Sequence, residues 1–201
     1  MKRFFCTLIL IATVFSTASA EYALKKKKPV NSAPDDMKVI GFAPGVRLSL
    51  LGIEPTFAID ILNLELEAAC AISTGVTGDR IGVAPSFCIA YNSDPFGDGV
   101  SATFGLEYMF LSSSYMRALG DVIDSDDMGT DPNIHGISLF YRGDFKITRF
   151  AAFCWRIRFP LFIGWEGDDG FQSINVTNLP GLFGCGLISI CTVGIGVRFS
   201  F

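Results

Sequence analysis

Hydrophobic and polar residues alternate along most of the chain after residue 38, and the pattern is clearest in the last segment, 187–201. One face of that segment carries Cys191, Val193, Ile195, Val197, Phe199 and Phe201, and the other carries Thr192, Gly194, Gly196, Arg198 and Ser200. Successive side chains of a β-strand point to opposite faces, so this alternation predicts a half-buried strand.

The same reading predicts eight strands joined by connections of two kinds. The strands are Val39–Leu50, Pro55–Ile61, Leu64–Ser73, Ile81–Asn92, Val100–Ser112, Ile134–Ile147, Phe150–Trp165 and Leu187–Phe201. The short connections are 62–63, 93–99 and 148–149, and the longer ones are 74–80, 113–133 and 166–186; the connection 51–54 is shorter than this pattern requires. Short turns alternating with long loops are typical of bacterial transmembrane barrels. We therefore predict an all-β, antiparallel, up-and-down transmembrane barrel of about eight strands, with both termini in the periplasm.

The size of the barrel decides which face points inward. An eight-stranded barrel has an interior just wide enough for side chains, so the face rich in large aromatic residues must point outward to lipid. A soluble barrel of the lipocalin type would need that face inside. The opposite face carries small residues and a predicted lumen charge network, which consists of Arg47, Asp60, Glu65, Glu67, Glu107, Arg142, Asp144, Lys146, Arg156, Arg158 and Arg198. Charges of both signs are tolerated in an interior when they are paired.

The N-terminus has the features of an export signal. Lys2 and Arg3 precede an apolar run, and small residues follow up to Ala20, so residues 1–20 are predicted to be a cleaved signal peptide. Residues 21–38, with lysines at 25–28, are predicted to form a basic periplasmic linker before the barrel domain, 39–201. The mean hydropathy of +0.43 agrees with export to a membrane.

The chain resembles known membrane barrels at two levels. Val197, Phe199 and Phe201 resemble the C-terminal signal that the assembly machinery reads in outer-membrane barrel proteins. From Val39 to Phe201 the chain resembles small eight-stranded outer-membrane proteins of the OmpA, OmpX and OmpW type. The runs GIEPTFAIDILNLELEA (52–68) and YNSDPFGDG (91–99) are similar to small barrels of spirochaete outer membranes. The resemblance implies insertion in the outer membrane.

Candidate chemistry is sparse. His135 lies across from the serines at 112–114, as in outer-leaflet lipid-modifying hydrolases or acyltransferases, but the spacing matches no catalytic motif. The acidic loop 113–133 partly matches a calcium-loop pattern and lacks its bidentate acid, so its binding of a divalent cation stays open. Five cysteines follow residue 20, with Cys88 and Cys154 predicted to face inward and Cys70 and Cys191 outward.

These observations predict a non-enzymatic outer-membrane barrel with a filled, charge-paired lumen and a structural or surface-interaction role. The alternative is a narrow channel for ions, small solutes or small hydrophobic molecules, and the remote alternative is a lipid-modifying enzyme. Outer-membrane lipids and the barrel assembly machinery are the expected partners, and the loops 113–133 and 166–186 are candidates to bind an extracellular ligand. We expect a monomer without metal, cofactor or nucleic acid.

Overall fold

The computed structural model describes residues 40–49, 52–74, 81–96, 99–123, 133–148, 150–167, 170–182 and 193–201. The predicted signal peptide and linker, Cys185 and Cys191 lie outside the described residues. The strands are β1 (Ile40–Ser49), β2 (Gly52–Ile61), β3 (Leu64–Thr74), β4 (Ile81–Asn92), β5 (Val100–Leu111), β6 (Ile134–Lys146), β7 (Ala151–Gly167), β8 (Gly170–Asn175) and β9 (Val193–Phe199). The helix α1 (Ser113–Ile123) lies between β5 and β6, and a short 3-10 helix follows β8 at Val176–Asn178.

Eight of these strands form a closed antiparallel barrel, as the sequence predicts. Each strand from β1 to β6 pairs with the strand that follows it in the chain. The barrel is closed by β9, which pairs with β7 on one side and with β1 on the other. At the seam, Val46 lies opposite Val197, and the backbones of Phe42 and Phe201 bond to each other beyond the last ladder pair. Closure leaves no free edge among the eight strands, which is the condition for a sheet in lipid.

The barrel has two distinct ends, which we name the turn side and the loop side. The turn side carries the connections 62–63, 93–99 and 147–150, and β1 begins and β9 ends there. The loop side carries the connections 50–51, 75–80, 112–133 and 168–192. Most predicted strand limits are within two residues of the observed ones, and β4 is matched at both ends.

The prediction of a loop at 51–54 is wrong. Strand β2 begins at Gly52, three residues earlier than predicted, so Glu54 belongs to the strand. Gly52 has φ of +117°, and a Cβ there would collide with the carbonyl oxygen of Ile72. Only glycine accepts this backbone conformation without strain, so the tight reversal depends on this residue.

The loop predicted at 113–133 is partly a helix. The side chain of Ser112 accepts a hydrogen bond from the backbone N–H of Tyr115 at 3.2 Å, which is the arrangement of an N-terminal helix cap. Helix α1 then packs on the inner face of β3 and β4, where Tyr115 and Met116 form a buried cluster with Ala71, Ala84, Met109 and Leu111. Residues 124–132, with most of the acidic positions, lie outside the described residues.

The loop predicted at 166–186 also contains regular structure. Strand β8 pairs with the loop-side half of β7, from Phe162 opposite Asn175 to Gly167 opposite Gly170. A bulge in β7, where its register against β6 shifts between Ile137 and Ser138, precedes this hairpin. The hairpin thus extends β7 beyond its pairing with β9, which ends at Ile157.

The outer surface of the barrel is apolar and its interior is polar. Large hydrophobic side chains such as Phe57, Phe87, Phe104, Phe159 and Val193 are exposed on every side of the barrel. The buried set contains charged and small residues instead. This distribution is the inverse of a soluble protein and matches the apolar outer band of a barrel in lipid. The described helical segments fall short of the length and hydrophobicity that a membrane-spanning helix requires.

Candidate functional site

The barrel interior holds a connected set of buried charges. Eleven residues form it: Arg47, Arg142, Arg156, Arg158, Arg198, Glu54, Asp60, Glu65, Glu67, Glu107 and Asp144. None of them is more than 6% exposed. Ten belong to the network that the sequence predicts. The other predicted member, Lys146, is half-buried at the turn side and forms no ion pair with the described residues.

Six of the charges form a closed ring of alternating sign, which we call the charge ring. It runs in the order Glu67, Arg47, Glu54, Arg158, Glu107, Arg156 and back to Glu67, with N–O distances between 2.6 and 3.2 Å. The members lie on β1, β2, β3, β5 and β7, so the ring spans the lumen rather than lining one wall. Arginine suits this geometry because its planar fork can serve two carboxylates at once.

The remaining charges form a turn-side group that is joined to the ring through Glu67. Arg142 donates to Glu67 at 3.0 Å, to both oxygens of Glu65 and to Asp144. Arg198 donates to Asp60 at 2.7 Å and to Glu65 at 2.6 Å. Glu67 therefore accepts from three arginines, Arg47, Arg142 and Arg156, and connects the two halves of the network.

The sequence prediction for β7 has the correct register. Both Arg156 and Arg158 point inward, and both contact Glu107, at 3.1 and 2.6 Å. Asp144, the other acid predicted to face them, pairs instead with Arg142 and, at 3.9 Å, approaches Arg198. The Arg156 guanidinium also lies 3.7 Å from the ring centre of Phe140, so an aromatic face covers it.

Glu54 is the member of the charge ring that sequence reasoning missed. It accepts from Arg47, from Arg158 and, at 2.8 Å, from the hydroxyl of Ser49. Because Gly52 and Pro55 resemble a turn, the segment 51–54 is read as a loop. The spacing of the residues could have revealed it. Glu54, Ala58 and Asp60 are separated by even numbers of residues, so Glu54 falls on the inner face with the other two if β2 begins before Glu54.

Helix α1 covers the loop side of the same lumen. Tyr115 and Ala118 are fully buried, and a Cβ placed on Gly82 of β4 would lie 2.3 Å from Cα of Tyr115. Such close approach of helix and strand backbones requires glycine at this position. The described lumen is thus filled by the charge ring at mid-height and by α1 at the loop side.

The turn side holds open space. A cavity of about 660 Å³ lies there, lined by Asp60, Lys146, Phe96 and neighbouring residues of β1 and the chain end. Five buried polar atoms have no hydrogen-bond partner among the described residues: Arg47 Nη2, Asp60 Oδ1, Asp144 Oδ1, Arg156 Nε and Arg198 Nε. Val197 and Phe199 of β9, which belong to the predicted assembly signal, are exposed on the outer face, and Phe201, its last residue, is exposed at the rim of this cavity.

The candidate catalytic residues are engaged in other contacts. His135 Nδ1 bonds to the hydroxyl of Tyr108 at 2.8 Å, and its ring lies 5.2 Å from that of Phe110. Ser112 serves as the cap of α1. Cys88 and Cys154 are buried and Cys70 is partly exposed, in the orientations predicted from the sequence, and all three are free thiols. Among the described residues, no group of three potential metal ligands occurs.

Comparisons with known proteins give low similarity. No protein-family model matches the sequence, and no curated protein matches it significantly. The N-terminal β-barrel domain of Pseudomonas aeruginosa OprF is similar in structure at 15% sequence identity and a TM-score of 0.41, over 81% of this chain and 96% of that one. A major outer membrane protein from Thermus thermophilus is similar at 16% identity and a TM-score of 0.34, over 81% of this chain and 99% of that one. At these values the fold assignment depends on the strand pairings themselves, and these form a closed eight-stranded antiparallel barrel with a charge-paired lumen.

Proposed function

We propose that this chain is a non-enzymatic outer-membrane barrel whose lumen is closed, and that it acts structurally or through contacts made at its loop side. The turn side is then periplasmic and the loop side external. The apolar exterior supports the membrane location, because a soluble barrel would not expose so many large hydrophobic side chains. The predicted signal peptide supplies the route of export.

The observation that carries the closed lumen is the charge ring. Its members reach across the lumen from five strands, and their N–O contacts leave no gap in the ring. An ion entering this layer would have to separate buried partners, at a cost of several kcal/mol. Helix α1 forms a second obstruction on the loop side.

The alternative function is a narrow channel, and one observation favours it. The five unpartnered polar atoms are spread from the turn-side group into the charge ring, where water molecules could satisfy them. A continuous line of such water molecules through the lumen would resemble a path for ions. The completeness of the ring contacts argues for isolated waters, and the conductance of the purified protein in a bilayer decides between the two.

The membrane location and the assembly signal are tested together. We expect the chain, expressed in a bacterium with an outer membrane, to fractionate with that membrane and to migrate differently on gels with and without boiling. Deleting Phe201 should reduce the folded, heat-modifiable fraction severalfold, because it removes both the terminal ring and the backbone bonds to Phe42 at the barrel seam.

Phe201→Ala is the matched control, since it keeps the backbone bonds to Phe42 and removes only the ring. A reduction in both variants assigns the effect to the aromatic signal, whereas a reduction in the deletion alone assigns it to seam closure. Recovery of the wild-type protein from the soluble periplasm would contradict the proposed location.

A further inference from the structure

The buried network of described residues contains one more acid than base. The charge ring is balanced, since it joins three glutamates to three arginines. The turn-side group is not balanced, because its acids outnumber its arginines by three to two: Asp60, Glu65 and Asp144 against Arg142 and Arg198. The surplus negative charge of the network is therefore located in the turn-side group.

Two of these acids are brought together by the tight turn at 62–63. Asp60 of β2 is paired directly with Glu65 of β3, and both side chains point into the lumen, where the residues are 3% and 0% exposed. The two carboxyl groups lie within hydrogen-bonding range of each other. Like charges directly opposite each other on adjacent strands destabilise a sheet, and burial strengthens their repulsion. Two full negative charges at this position are therefore costly unless cations compensate both.

Asp60 is the less well supported member of this pair. Glu65 accepts from Arg142 at 2.6 and 2.7 Å, from Arg198 at 2.6 Å and from the Asn92 amide at 3.4 Å. Among the described residues, Asp60 accepts from Arg198 alone, at 2.7 Å to Oδ2, whereas Oδ1 has neither a donor nor contact with bulk solvent. A carboxyl group favours its uncharged form where the charged form lacks donors and solvent. Asp60 is thus the acid on which a proton is expected.

The other cations that face this pair do not remove the surplus charge. Lys146 on β6 lines the turn-side cavity, but it is half-buried and forms no ion pair with a described residue. Arg142, also on β6, is shared among Glu65, Glu67 and Asp144. A metal ion finds no site within the described part of the chain, because no group of three potential ligands occurs there. The species that can balance the charge is a proton.

We propose that the turn-side group is a proton-binding site, in which Asp60 takes up one proton and shares it with Glu65. The proton is bound at about pH 6, where a free aspartate, with a pKa of about 3.9, is ionised. With the proton bound, the turn-side group carries two negative and two positive charges, and the whole network is neutral. The site lies apart from the charge ring, so it does not depend on whether the lumen conducts.

Infrared spectroscopy of the purified full-length barrel in detergent micelles detects this proton directly, because a protonated carboxyl group has a C=O stretching band that a carboxylate lacks. The wild type should show this band at about pH 6, with the intensity of about one carboxyl group per barrel, and lose it by about pH 8. Asp60→Asn should lack the band. Glu65→Gln should lack it too, since two acids then face two arginines and Asp60 stays ionised. Absence of the band from the wild type at the lower pH, or its persistence in Asp60→Asn, overturns the proposal.

The same proton makes the stability of the barrel depend on pH. The folded state binds it and the unfolded chain does not, so the unfolding equilibrium constant should rise with pH, by up to about tenfold per pH unit, until the proton is released. In urea titrations in detergent micelles, the wild-type constant should rise severalfold relative to that of Asp60→Asn between about pH 6 and about pH 8. A ratio of the two constants that does not change with pH contradicts the proposal.

Asp94→Asn is the matched control for both measurements. Asp94 is an exposed carboxylate at the same end of the barrel, so this variant should keep the band and follow the wild type at each pH. If Asp60→Asn fails to fold, Glu65→Gln replaces it, because it also removes the surplus acid. The wild-type spectra at the two pH values decide the question even without a variant.

Discussion

Glu67→Gln is expected to cause a large loss of stability. Glu67 is buried and accepts from Arg47, Arg142 and Arg156 at 2.7 to 3.0 Å. Glutamine keeps the shape but removes the negative charge, which leaves three guanidinium groups facing each other with too few acids. Breaking a buried pair in this way costs about 3–5 kcal/mol. The free energy of unfolding, measured by urea titration in detergent micelles, should fall by about that amount.

Glu166→Gln is the matched control. Glu166 lies near the loop-side end of β7 and is exposed, so the same chemical change should alter stability by less than about 0.5 kcal/mol. The second check is the pair Glu67→Gln with Arg156→Met, which removes one charge of each sign. Because the two residues contact each other, the double variant should lose less than the sum of the single losses. Equal effects of Glu67→Gln and Glu166→Gln would show that the network is not a buried unit.

Gly82→Val is expected to displace helix α1. A Cβ at Gly82 would meet Cα of Tyr115 at 2.3 Å, N of Tyr115 at 2.9 Å and O of Ser114 at 3.0 Å. All three are backbone atoms, so rotation of a side chain cannot relieve the collision. The helix must leave its site, which exposes Tyr115 and Met116 and opens the loop side of the lumen.

Limited trypsin digestion measures this displacement. Arg117 lies in the helix, and cleavage after it requires the helix to unfold locally. We expect cleavage at Arg117 to be slow in the wild type and about tenfold faster or more in Gly82→Val. Gly99→Val is the control, because nothing lies within 4 Å of a Cβ added there. An unchanged cleavage rate in Gly82→Val would mean that α1 does not depend on this contact.

The alternation of hydrophobic and polar residues along the strands was enough to predict most of the barrel and its lumen. Every strand of the closed barrel was predicted, and ten network members fell on the inner face, because a period of two fixes the face of each residue once the register is known. Lys146 was assigned to the network by the same rule. Lys146 does lie on the inner side of β6, where it lines the turn-side cavity. It is the last residue of the strand, however, and a charge at a strand end need not contact the ion pairs in the middle of the lumen.

The sequence did not predict helix α1 or the inward position of Glu54, because the residues around both favour a different local structure. Helix α1 is preceded by Ser112, a good helix cap, but the acidic residues that follow favour a solvated loop. The ring member Glu54 was hidden by Gly52 and Pro55, which are typical of turns. The order of pairs in the charge ring cannot be read from the sequence, since it is set by which side chains meet across the lumen.

The most direct test of the closed lumen is steady-state conductance in a planar bilayer. The wild-type protein should show little or no current, because the charge ring and α1 both obstruct the path. Arg156→Ala with Gly82→Val removes a ring member and the helix site together, and it should produce discrete channels, whereas each single variant keeps one obstruction. Reproducible open channels from the wild-type protein would contradict the closed lumen and establish the narrow channel instead.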